Sequence, residues 1–514
     1  MPDPAFDADV AIIGYGPSGV TAASVLGSRG IRTVVFERAK DIYARARAVT
    51  VNDWTMRCFQ SLGLDDALKA GMDETLGLRW ITYDGHVVNQ MRFPPGMSAM
   101  GHAHSFSIYQ PIMEQTLRDG AARYSDHVTL RFGAEVTDIR QDADGVTLTS
   151  TDTSDGTVLT TRARYALACD GGSSATRERL GVKMIGDTLD TRWVIIDAKV
   201  KRWWPSRHIL TFWSDRARPV VDIALSMGNH RWELPLRPEE SDADFDTHDK
   251  LWRVLEPMGV TRDDIDIHQH AFYKHHIRHA ERWREGRVFL LGDAAHLMPP
   301  WAGNGMQSGI RDAFNIGWKL IEVLGDRLPP SVLDTYEIER APDVERYTQM
   351  SIGLGRIIKQ ELSPEEIAAM QAASAGPDAP SPLLELPALT AGWVTGDAGE
   401  TSAVGKIIPQ YEVATNNGLR AMFDAVIGNG FVLLGDGVDP RALMTTDQIA
   451  GWDRLNADYR VVASPDRRSE YADDIIDLHG RLGVWMRGYG ARVIALRPDR
   501  FVAAADPTGL SVPG

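Results

Sequence analysis

Short apolar runs that end in glycine-rich turns recur at three distant places in this 514-residue chain. The first run, residues 10–13, is wholly apolar, which is typical of a parallel strand covered on both faces. Small and apolar residues follow at helical spacing over residues 17–28, and residues 33–36 form a second apolar run. The pattern predicts a strand–helix–strand unit at the start of the chain.

The turn inside this unit carries the spacing Gly14-x-Gly16-x-x-Gly19. One glycine allows the tight turn, one lets a pyrophosphate approach bare backbone, and one lets the helix pack close to the strand. The helix N-terminus carries roughly half a positive charge and faces the phosphates. Glu37, at the end of the second strand, can accept a hydrogen bond from a ribose hydroxyl. These features predict a dinucleotide site.

Two later segments repeat the strand-and-turn pattern. Residues 165–169 are mostly apolar and run into Asp170 and two glycines, a turn suited to close cofactor approach or, equally, an ordinary N-capped turn. Residues 288–291 run into Asp293, whose carboxylate can accept from sugar hydroxyls. The glycine-rich run 303–309 then offers backbone to a flat ring, and a long helix is predicted after it.

Strand patterns of a different kind lie between these segments. A hairpin is predicted over residues 77–90, and a small antiparallel layer over 128–131, 134–141 and 146–151. Residues 186–285 are rich in Trp, Arg and His and predict a mostly antiparallel sheet that carries a ligand face, with strands at 193–199, 208–213, 220–226 and 231–236. Any single aromatic residue there is more typical of core than of a ligand contact.

The chain beyond residue 341 predicts two helices, a Pro-, Ala- and Gly-rich linker over 375–401, and a third, small α/β domain. The predicted domains are a discontinuous nucleotide domain, a substrate sheet, a helical segment with the linker, and a C-terminal domain. Their ranges are, in that order, 1–76 with 105–185 and 286–355; 77–104 with 186–285; 356–401; and 402–514.

Composition narrows the classes of partner. A formal net charge of −15 argues against a nucleic acid, which needs clustered Lys and Arg. Cys58 and Cys169 make neither metal-ligand spacing nor a disulfide framework, so no metal is predicted. The first residues lack a signal-peptide pattern, and no apolar run is long enough to span a bilayer. We expect a cytoplasmic protein without a membrane partner.

The separate motifs together resemble the group A (single-component) flavin aromatic hydroxylases, the FAD-binding monooxygenase family. The resemblance covers about residues 8–350. It rests on Gly14-x-Gly16-x-x-Gly19 with Glu37, Arg47-Ala48, Gln110-Pro111, Cys169-Asp170-Gly171 with Ser174 and Arg177, Gly292-Asp293, the run 303–309, and Leu333-x-x-Tyr336-x-x-Glu339-Arg340. Residues 298–320 are most similar to the 3-(3-hydroxyphenyl)propionate hydroxylase group, and the C-terminal part resembles its thioredoxin-like domain, here without Cys-x-x-Cys.

This resemblance implies an α/β fold with a Rossmann-like FAD-binding domain of the para-hydroxybenzoate hydroxylase type, an inserted antiparallel substrate sheet and a thioredoxin-like C-terminal domain. It implies FAD, NADH or NADPH as co-substrate, O2, and a small phenolic substrate, such as a 3-hydroxyphenylpropionate-like acid, hydroxylated through a flavin C4a-hydroperoxide. A homodimer is compatible with it. The implied FAD contacts are Gly14, Gly16, Pro17, Ser18, Gly19, Glu37, Arg38, Arg47, Gln110, Val136, Asp170, Asp293, Pro300, Gly303, Gly305, Met306 and Gln307.

The catalytic residues stay unassigned at this point. Val49 and Thr50 stand where phenol hydroxylases carry an aspartate, so no phenol base can be named there. His208, Arg218 and Arg231 lie in the predicted substrate sheet and could handle a proton or meet a carboxylate, although surface or interdomain roles suit all three as well. His296 fits a structural role.

Other functions remain open on the same scaffold. They are a polyketide-tailoring hydroxylase, a flavin reductase or dehydrogenase that does not oxygenate, and a non-enzymatic protein of the prenyl-GTPase escort type. Halogenases of this fold carry a Trp-x-Trp-x-Ile-Pro motif, and this chain has none.

Overall fold

The computed structural model describes residues 5–203, 205–373, 384–467, 474–506 and 509–514. Its strands are β1 Ala8–Ile13, β2 Thr33–Glu37, β3 Thr50–Asn52, β4 Met72–Glu74, β5 Gly77–Ile81, β6 Val87–Arg92, β7 Ser105–Ile108, β8 Val128–Phe132, β9 Ala134–Gln141, β10 Val146–Asp152, β11 Val158–Ala168, β12 Met184–Val200, β13 Ile209–Trp213, β14 Val220–Ala224, β15 Asn229–Pro235, β16 Ile265–Ala280, β17 Arg284–Glu285, β18 Val288–Leu290, β19 His296–Leu297, β20 Glu412–Thr415, β21 Arg420–Met422, β22 Val432–Asp436, β23 Asp458–Ala463, β24 Ile475–Ile476, β25 Val493–Leu496 and β26 Val502–Ala505.

The α-helices connect and cover these strands. They are α1 Pro17–Gly27, α2 Asp53–Ser61, α3 Asp65–Lys69, α4 Gln110–Ala122, α5 Ala175–Arg179, α6 His248–Leu255, α7 Gly305–Leu324, α8 Thr335–Ile358, α9 Pro364–Ala373, α10 Phe423–Ile427, α11 Thr446–Asp453 and α12 Arg481–Gly488. None of the helices in the described ranges has both the length and the apolar character needed to cross a bilayer.

The first sheet is the parallel core that the apolar runs predict, with one correction. Residues 128–131, expected in the small antiparallel layer, form β8, which pairs parallel with β2 at the edge of this sheet. The order of the sheet is β17-β18-β11-β1-β2-β8, and β18, β11, β1, β2 and β8 run parallel to their neighbours. The small layer of β9 and β10 joins it antiparallel through β11. Because β1 lies between β11 and β2 and is covered on both faces, its apolar side chains are buried. The predicted strand–helix–strand unit is confirmed.

The second sheet has the order β19-β16-β12-β15-β14-β13-β5-β6. The antiparallel pairing of β5 with β6 confirms the hairpin predicted over residues 77–90. The long strand β16 was not anticipated, because its sequence is rich in His and other polar residues and lacks a clear apolar alternation. It pairs with β12 along almost its whole length.

The two faces of the second sheet meet different surroundings, because side chains alternate along each strand. One face, with Val194, Trp232 and Leu234, forms an apolar cluster with Leu251 and Leu255 of α6. The opposite face, with Trp193, Phe212 and Ile223, is turned toward the loops of the first sheet. That second face borders the site described below.

The helices after α7 differ slightly from the prediction. We predicted a helix beginning beyond residue 341, but α8 begins at Thr335 and carries Pro342 inside it. Buried side chains of Tyr336, Glu339 and Arg340 anchor the turns before the proline, so the helix starts earlier. Of the predicted linker 375–401, residues 375–383 lie outside the described residues.

The C-terminal part forms its own sheet in the order β21-β20-β24-β23-β22-β25-β26. Strands β24, β23 and β22 are parallel, and β25 is antiparallel to β22. Strands β22, β23 and β25 alternate with helices α11 and α12, as expected for the small α/β domain predicted in this part of the chain. This sheet encloses a separate apolar core.

A buried ion cluster joins the C-terminal part to the rest of the chain. Glu339 of α8 accepts hydrogen bonds from Lys319 at 2.8 Å and from Arg497 at 2.8 and 2.7 Å. All three side chains are fully buried. Burial alone raises the pKa of the Glu339 carboxyl, but the charges of Arg497 and Lys319 outweigh it and hold that pKa well below its usual range. A second pair, Arg57 with Asp424 at 2.7 Å, crosses the same interface.

Candidate functional site

The three glycine-rich segments meet at one point in the fold. A Cβ on Gly14 would lie 2.4 Å from the carbonyl oxygen of Cys169, and a Cβ on Gly19 would lie 2.1 Å from the carbonyl oxygen of Gly14. A Cβ on Gly292 or Gly309 would lie 2.6 or 2.2 Å from Ser18 Oγ. Backbones that approach this closely require glycine. The first, second and third segments are therefore packed directly against one another.

Gly16 differs from the other glycines of the first turn. It precedes α1 with φ −74°, and a Cβ built on it meets no atom within 4 Å. Gly16 lines a cavity of about 340 Å³ that lies between the first-sheet loops and the second sheet. The open position beside Gly16 is where a pyrophosphate could contact backbone at the N-terminus of α1.

The cavity brings together most of the residues named from the sequence. Those of the implied FAD contacts that line it are Gly16, Pro17, Ser18, Arg47, Gln110, Asp293, Pro300, Gly303, Gly305, Met306 and Gln307. Gly171 and Cys169 of the second segment line it as well. Segments that are far apart in sequence thus contribute to one pocket.

Several other named residues lie outside the cavity wall. Gly14 and Gly19 pack against the backbone on the side of the turn away from the cavity. Arg38 is exposed. Val136 is buried in β9, where its carbonyl accepts from Arg179 at 3.1 Å. The structure therefore gives Val136 a place in the small antiparallel layer rather than in the cavity.

Two acids near strand ends accept hydrogen bonds from neighbouring main-chain N–H groups and, for Asp170, from a hydroxyl. Glu37 accepts from the N–H of Tyr15 at 2.7 Å and of Ala39 at 2.8 Å. Asp170 accepts from Ser174 Oγ at 2.5 Å and from the N–H of Thr176 at 3.0 Å. The Asp170 carboxylate thus serves the start of α5, which is the alternative that its sequence left open.

The loop that carries Arg47 is fixed from both sides. Gln110 Oε1 accepts from the N–H of Arg47 at 2.8 Å and of Ala48 at 2.7 Å. From the second sheet, Arg231 donates to the carbonyls of Ala46 and Arg47. Gln110 therefore acts on the cavity mainly by holding this loop, and Arg47 stands exposed at the cavity mouth.

The N-terminus of α7 forms another wall of the cavity. Gln307 Nε2 donates to the carbonyl of Gly303 at 2.6 Å, and Gln307 Oε1 accepts from the N–H of Asn52 at 2.8 Å. Asn304 Nδ2 donates to the carbonyl of Ala302 at 2.7 Å, whereas its buried Oδ1 has no hydrogen-bond partner. An unpartnered acceptor that lines the cavity is available to a ligand N–H or O–H.

The second sheet closes the cavity from above. We call the side chains of this sheet that line it the roof; they are Leu78, Leu210, Phe212, Val221, Ile223 and Glu233. Five of the six are apolar. Glu233 is only 5% exposed, accepts a hydrogen bond from Tyr273 Oη at 2.9 Å, and lies 3.7 Å from Arg231 Nη1. Burial raises the pKa of Glu233, although Arg231 and Tyr273 oppose that rise.

The three substrate candidates from the sequence do not line the cavity. His208 is exposed at the start of β13, where its carbonyl accepts from the N–H of Leu76. Arg218 is paired with Glu240 and borders a separate surface cavity. Arg231 is bound to Asp197 at 2.7 and 2.9 Å and to the loop carbonyls. The geometry therefore favours the alternative roles left open for them: His208 is exposed, and Arg218 and Arg231 are engaged in ion pairs.

Sequence reasoning missed Glu233 and Tyr273. In the run Arg231-Trp232-Glu233-Leu234, the apolar residues alternate with charged ones. Trp232 and Leu234 face α6, so Arg231 and Glu233 must share the opposite face. The alternation is a signal, but it can be interpreted only once the cavity-facing side of the sheet is known.

His296 lies in a buried structural cluster. Its Nε2 is 2.7 Å from Asp312 Oδ2, which also accepts from the N–H of Gly292 at 3.0 Å, and Arg340 donates to Asp312 Oδ1 at 2.9 Å. Burial raises the pKa of Asp312, but His296 and Arg340 outweigh it and leave the pKa below its usual value. The cluster fixes the Gly292-Asp293 turn.

Comparison with known families gives two matches along the chain. Residues 7–351 match the model of the FAD binding domain family, and residues 405–511 match the HcaD C-terminal domain. Together they cover the three sheets described above.

Comparison with individual proteins agrees with these matches. A 3-(3-hydroxy-phenyl)propionate/3-hydroxycinnamic acid hydroxylase of Burkholderia cenocepacia (strain HI2424) is 34% identical over 98% of this chain and 94% of that protein. One from Mycobacterium sp. (strain JLS) is 33% identical over 97% and 89%.

Two solved structures share the whole fold. The flavin-dependent monooxygenase PieE, in complex with FAD and substrate, superposes with a TM-score of 0.81 at 24% identity, covering 97% of this chain and 96% of that one. OxyS anhydrotetracycline hydroxylase from Streptomyces rimosus gives 0.77 at 26% identity, covering 98% and 96%. The expected fold class is confirmed.

Proposed function

The chain belongs to the FAD-binding monooxygenase family, the FAD-dependent aromatic hydroxylases, and from this premise we propose that it hydroxylates a phenolic compound in the cavity beneath the roof. It is a flavoprotein monooxygenase that acts on an aromatic substrate with O2. The observation that carries the proposal is the convergence of the three glycine-rich segments on one cavity whose other wall is an apolar sheet.

The residues present fit FAD. The space beside Gly16 would be filled by any Cβ, and the unpartnered Asn304 Oδ1 offers an acceptor. Gly16, Ser18, Asp293 and the backbone of residues 303–305 would hold the cofactor, and Glu37 and Arg47 are further predicted contacts. Bound FAD supplies the oxygen-activating chemistry, after reduction by NADH or NADPH.

The protein itself positions the reactants, supplies an electrostatic field and excludes water from the cavity. The N-termini of α1 and α7 direct positive partial charge toward the cavity. The apolar part of the roof keeps water from the reacting ring. Hydrogen bonds from the loop at Arg47 to Gln110 of α4 and to Arg231 of the second sheet connect the two walls at the cavity mouth.

As the first substrate class we propose 3-hydroxyphenylpropionate-like acids. The support is that relatives 33–34% identical over nearly the whole chain are 3-(3-hydroxy-phenyl)propionate/3-hydroxycinnamic acid hydroxylases. Such a compound offers a phenolic hydroxyl to the buried end of the cavity. Its acid tail would extend toward the mouth, where Arg47 lies.

A second candidate is a larger neutral phenol of the kind that polyketide-tailoring hydroxylases use. The roof favours it: among the described residues that line the cavity, Arg47 at the mouth is the only Lys or Arg, and the roof's single charged side chain is acidic. A carboxylate near the roof would meet repulsion rather than an ion pair. The anhydrotetracycline hydroxylase OxyS, which is 26% identical to this chain, supports this class.

The test combines cofactor loading with a substrate panel. We expect the purified protein to carry or take up FAD, and its yellow colour to bleach with NADH or NADPH. Oxygen uptake and formation of a hydroxylated product should then depend on a phenol, with 3-(3-hydroxyphenyl)propionate, its neutral methyl ester and a polycyclic phenol as three arms. Preference for the ester or the polycycle would favour the second candidate.

Other results would reject the proposal. A protein that stays colourless after reconstitution does not use FAD. Reduced-nicotinamide oxidation that needs no oxygen and gives no hydroxylated product would indicate a dehydrogenase instead. The cytoplasmic setting and the homodimer stay predictions, and light scattering of the purified protein measures the second.

A further inference from the structure

We propose that Glu233 receives the hydroxyl group of the aromatic substrate, first as a hydrogen-bond acceptor and then as the acceptor of its proton. This inference rests on the proposed function and names the residue that the sequence left unassigned. It also defines what the roof selects: a ring that presents an O–H donor to a buried carboxylate.

The position of Glu233 follows from the register of the second sheet. Its cross-strand partners are Val221 on β14 and Ile195 on β12. Val221 belongs to the roof, and directly paired residues point to the same face. Glu233 is therefore directed into the cavity from the centre of the sheet, beside the apolar side chains of the roof.

The neighbouring charges leave Glu233 free to accept from a ligand. Arg231 is fully engaged: it donates to both carboxylate oxygens of Asp197 and to the carbonyls of Ala46 and Arg47. It approaches Glu233 no closer than 3.7 Å, which is beyond hydrogen-bond distance. Tyr273 supplies one donor to Glu233 Oε2. A carboxylate has about four acceptor positions, so further donors are needed for a buried one.

The electrostatic surroundings suit a base. Burial raises the pKa of Glu233, Arg231 and the Tyr273 hydroxyl lower it, and the charge of Asp197 raises it. A general base works best when its pKa lies near the working pH, and the net upward direction moves this carboxyl toward that range. Arg231, Tyr273 and Asp197 are the charged or titratable groups that face it.

The proton transfer is balanced without any other reagent. The phenolic O–H bond breaks, its proton moves to a Glu233 carboxylate oxygen, and the bonding pair stays on the phenolic oxygen. The pair of groups carries one negative charge before and after the step. The resulting oxyanion raises electron density at the ortho and para carbons, where an electrophilic oxygen is accepted.

Selectivity follows from the same contact. A buried acceptor left without a donor is costly, so a site built around one rejects analogues that lack the hydroxyl. An anionic group directed at Glu233 is repelled for the additional reason of like charge. The roof should therefore prefer phenol to toluene, which has nearly the same shape but no donor.

The experiment measures that preference in the oxidised FAD-loaded protein. Phenol and toluene are titrated into wild type and Glu233→Gln, and binding is followed by the change in the flavin absorption spectrum. We expect the phenol-over-toluene ratio to fall by roughly tenfold or more in Glu233→Gln, because a charge-assisted hydrogen bond is lost. Asp222→Asn is the matched control, since Asp222 is a buried acid on the neighbouring strand β14 that binds His230 and Trp213 instead of lining the cavity.

A coloured phenol shows directly whether the phenolic proton is transferred on binding. 4-Nitrophenol absorbs visible light only as its phenolate, so at a pH where it is protonated in solution the phenolate band should appear on binding to wild type and to Asp222→Asn. The band should be absent with Glu233→Gln. A Glu233→Gln protein that loads FAD yet keeps the wild-type phenol-over-toluene ratio and the phenolate band overturns this inference and leaves the proposed function standing.

Tyr273→Phe keeps the inference testable if Glu233→Gln does not fold. Removing the Tyr273 hydroxyl takes away a donor that lowers the pKa of Glu233. Phenol should then begin to bind at a higher pH than in wild type, because the carboxylate form appears later. Phenol stays neutral over that range, since its pKa resembles that of tyrosine, about 10. An unchanged pH midpoint would overturn the inference, and failure of every variant and of wild type to bind FAD would instead reject the proposed function.

Discussion

Arg231 donates a hydrogen bond to the main-chain carbonyl of Arg47 across 3.2 Å and so ties the second sheet to the loop at the cavity mouth. The same guanidinium is paired with Asp197 and is 1% exposed. One buried side chain therefore both neutralises a buried carboxylate of the sheet and holds the loop in position.

Replacing Arg231 tests this arrangement. Arg231→Met should lower the free energy of unfolding by about 3–5 kcal/mol, because Asp197 is left buried without its partner. It should also weaken FAD binding through the released loop. Urea denaturation and FAD titration measure the two effects. Arg140→Met is the control, since Arg140 pairs with Asp138 on the surface and should change either quantity by less than about 1 kcal/mol. Equal stability of the two variants would contradict the assignment.

The glycine turn offers a contrast between two neighbouring positions. Gly16→Ala adds a methyl group to open space with an ordinary φ of −74°, so the apoprotein should unfold at the same urea concentration as wild type. FAD affinity should nevertheless fall, because the methyl would stand where we expect the pyrophosphate to approach the backbone. Isothermal titration of apoprotein with FAD measures that loss. Wild-type affinity in Gly16→Ala would place the cofactor elsewhere.

Gly19→Ala should behave in the opposite way. Its Cβ would lie 2.1 Å from the carbonyl oxygen of Gly14, so α1 has to move away from β1. We expect a lower unfolding midpoint in the apoprotein itself, measured by circular dichroism. If Gly19→Ala is as stable as Gly16→Ala, the close packing of helix and strand is not what this glycine provides.

Asp293 is expected to contribute a cofactor contact. Its carboxylate is exposed to the cavity at the end of the turn that Asp312 and His296 hold. Asp293→Ala should reduce FAD affinity by roughly 10- to 100-fold, since a charge-assisted hydrogen bond is worth about 1.5–3 kcal/mol. The flavin-to-protein absorbance ratio after purification measures this. Asp66→Ala, at an exposed position on α3, should retain the full ratio, and full occupancy in both variants would remove Asp293 from the site.

His275 predicts a pH dependence of stability. Its ring packs against Trp193, Tyr273 and Trp301, and burial, with smaller effects of Lys359 and His276, lowers its pKa to about 3. The unfolded chain takes up this proton near pH 6.5, so the unfolded state binds more protons between that pH and about 3. Stability should therefore decrease as the pH falls through this window.

The measurement isolates His275 from other titrating groups. Free energies of unfolding of wild type and His275→Phe are compared at several pH values, because phenylalanine fits an aromatic environment and does not titrate. The difference between the two should change by up to about 1.4 kcal/mol per pH unit within the window. A constant difference would mean that the His275 imidazole keeps an ordinary pKa in the folded protein.

Breaking the buried ion cluster should lower the free energy of unfolding strongly, although the cluster lies far from the cavity. Glu339→Gln leaves Lys319 buried without its counter-charge and leaves Arg497 with Asp499 as its remaining partner, so it should cost about 3–5 kcal/mol in urea denaturation. Glu366→Gln removes an exposed partner of Arg356 and should cost less than about 1 kcal/mol. Similar costs for the two would show that Glu339 does not hold the cluster together.

The parts of the fold and of the site that depend on residues close together in the chain could be predicted from the sequence. The turn at Gly14, Gly16 and Gly19 and the predicted strand–helix–strand unit depend on residues close in the chain, so both were predictable. The resemblance then united distant segments such as those at Cys169 and Asp293. The packing of Gly292 and Gly309 against Ser18 supports that union.

The roof of the cavity depends on strand pairings between residues far apart in the chain, which no local sequence pattern contains. Arg231 and Glu233 are two residues apart on one strand face, yet one is bound to Asp197 and the other faces the cavity. Which of them meets a ligand is decided by strand register and by the position of the loop at Ala46. His208 and Arg218 were named for their chemistry, but the ends of their strands turn them away from the cavity.

The cluster of Glu339, Lys319 and Arg497 also limits how this chain can be recombined with its relatives. The acid and one base come from helices α8 and α7, whereas the other base follows β25. A hybrid enzyme joined anywhere between Ile358 and Leu496 inherits Glu339 from one parent and the residue at position 497 from the other. Such a hybrid will fold well only if both parents supply matching halves of this charge pair.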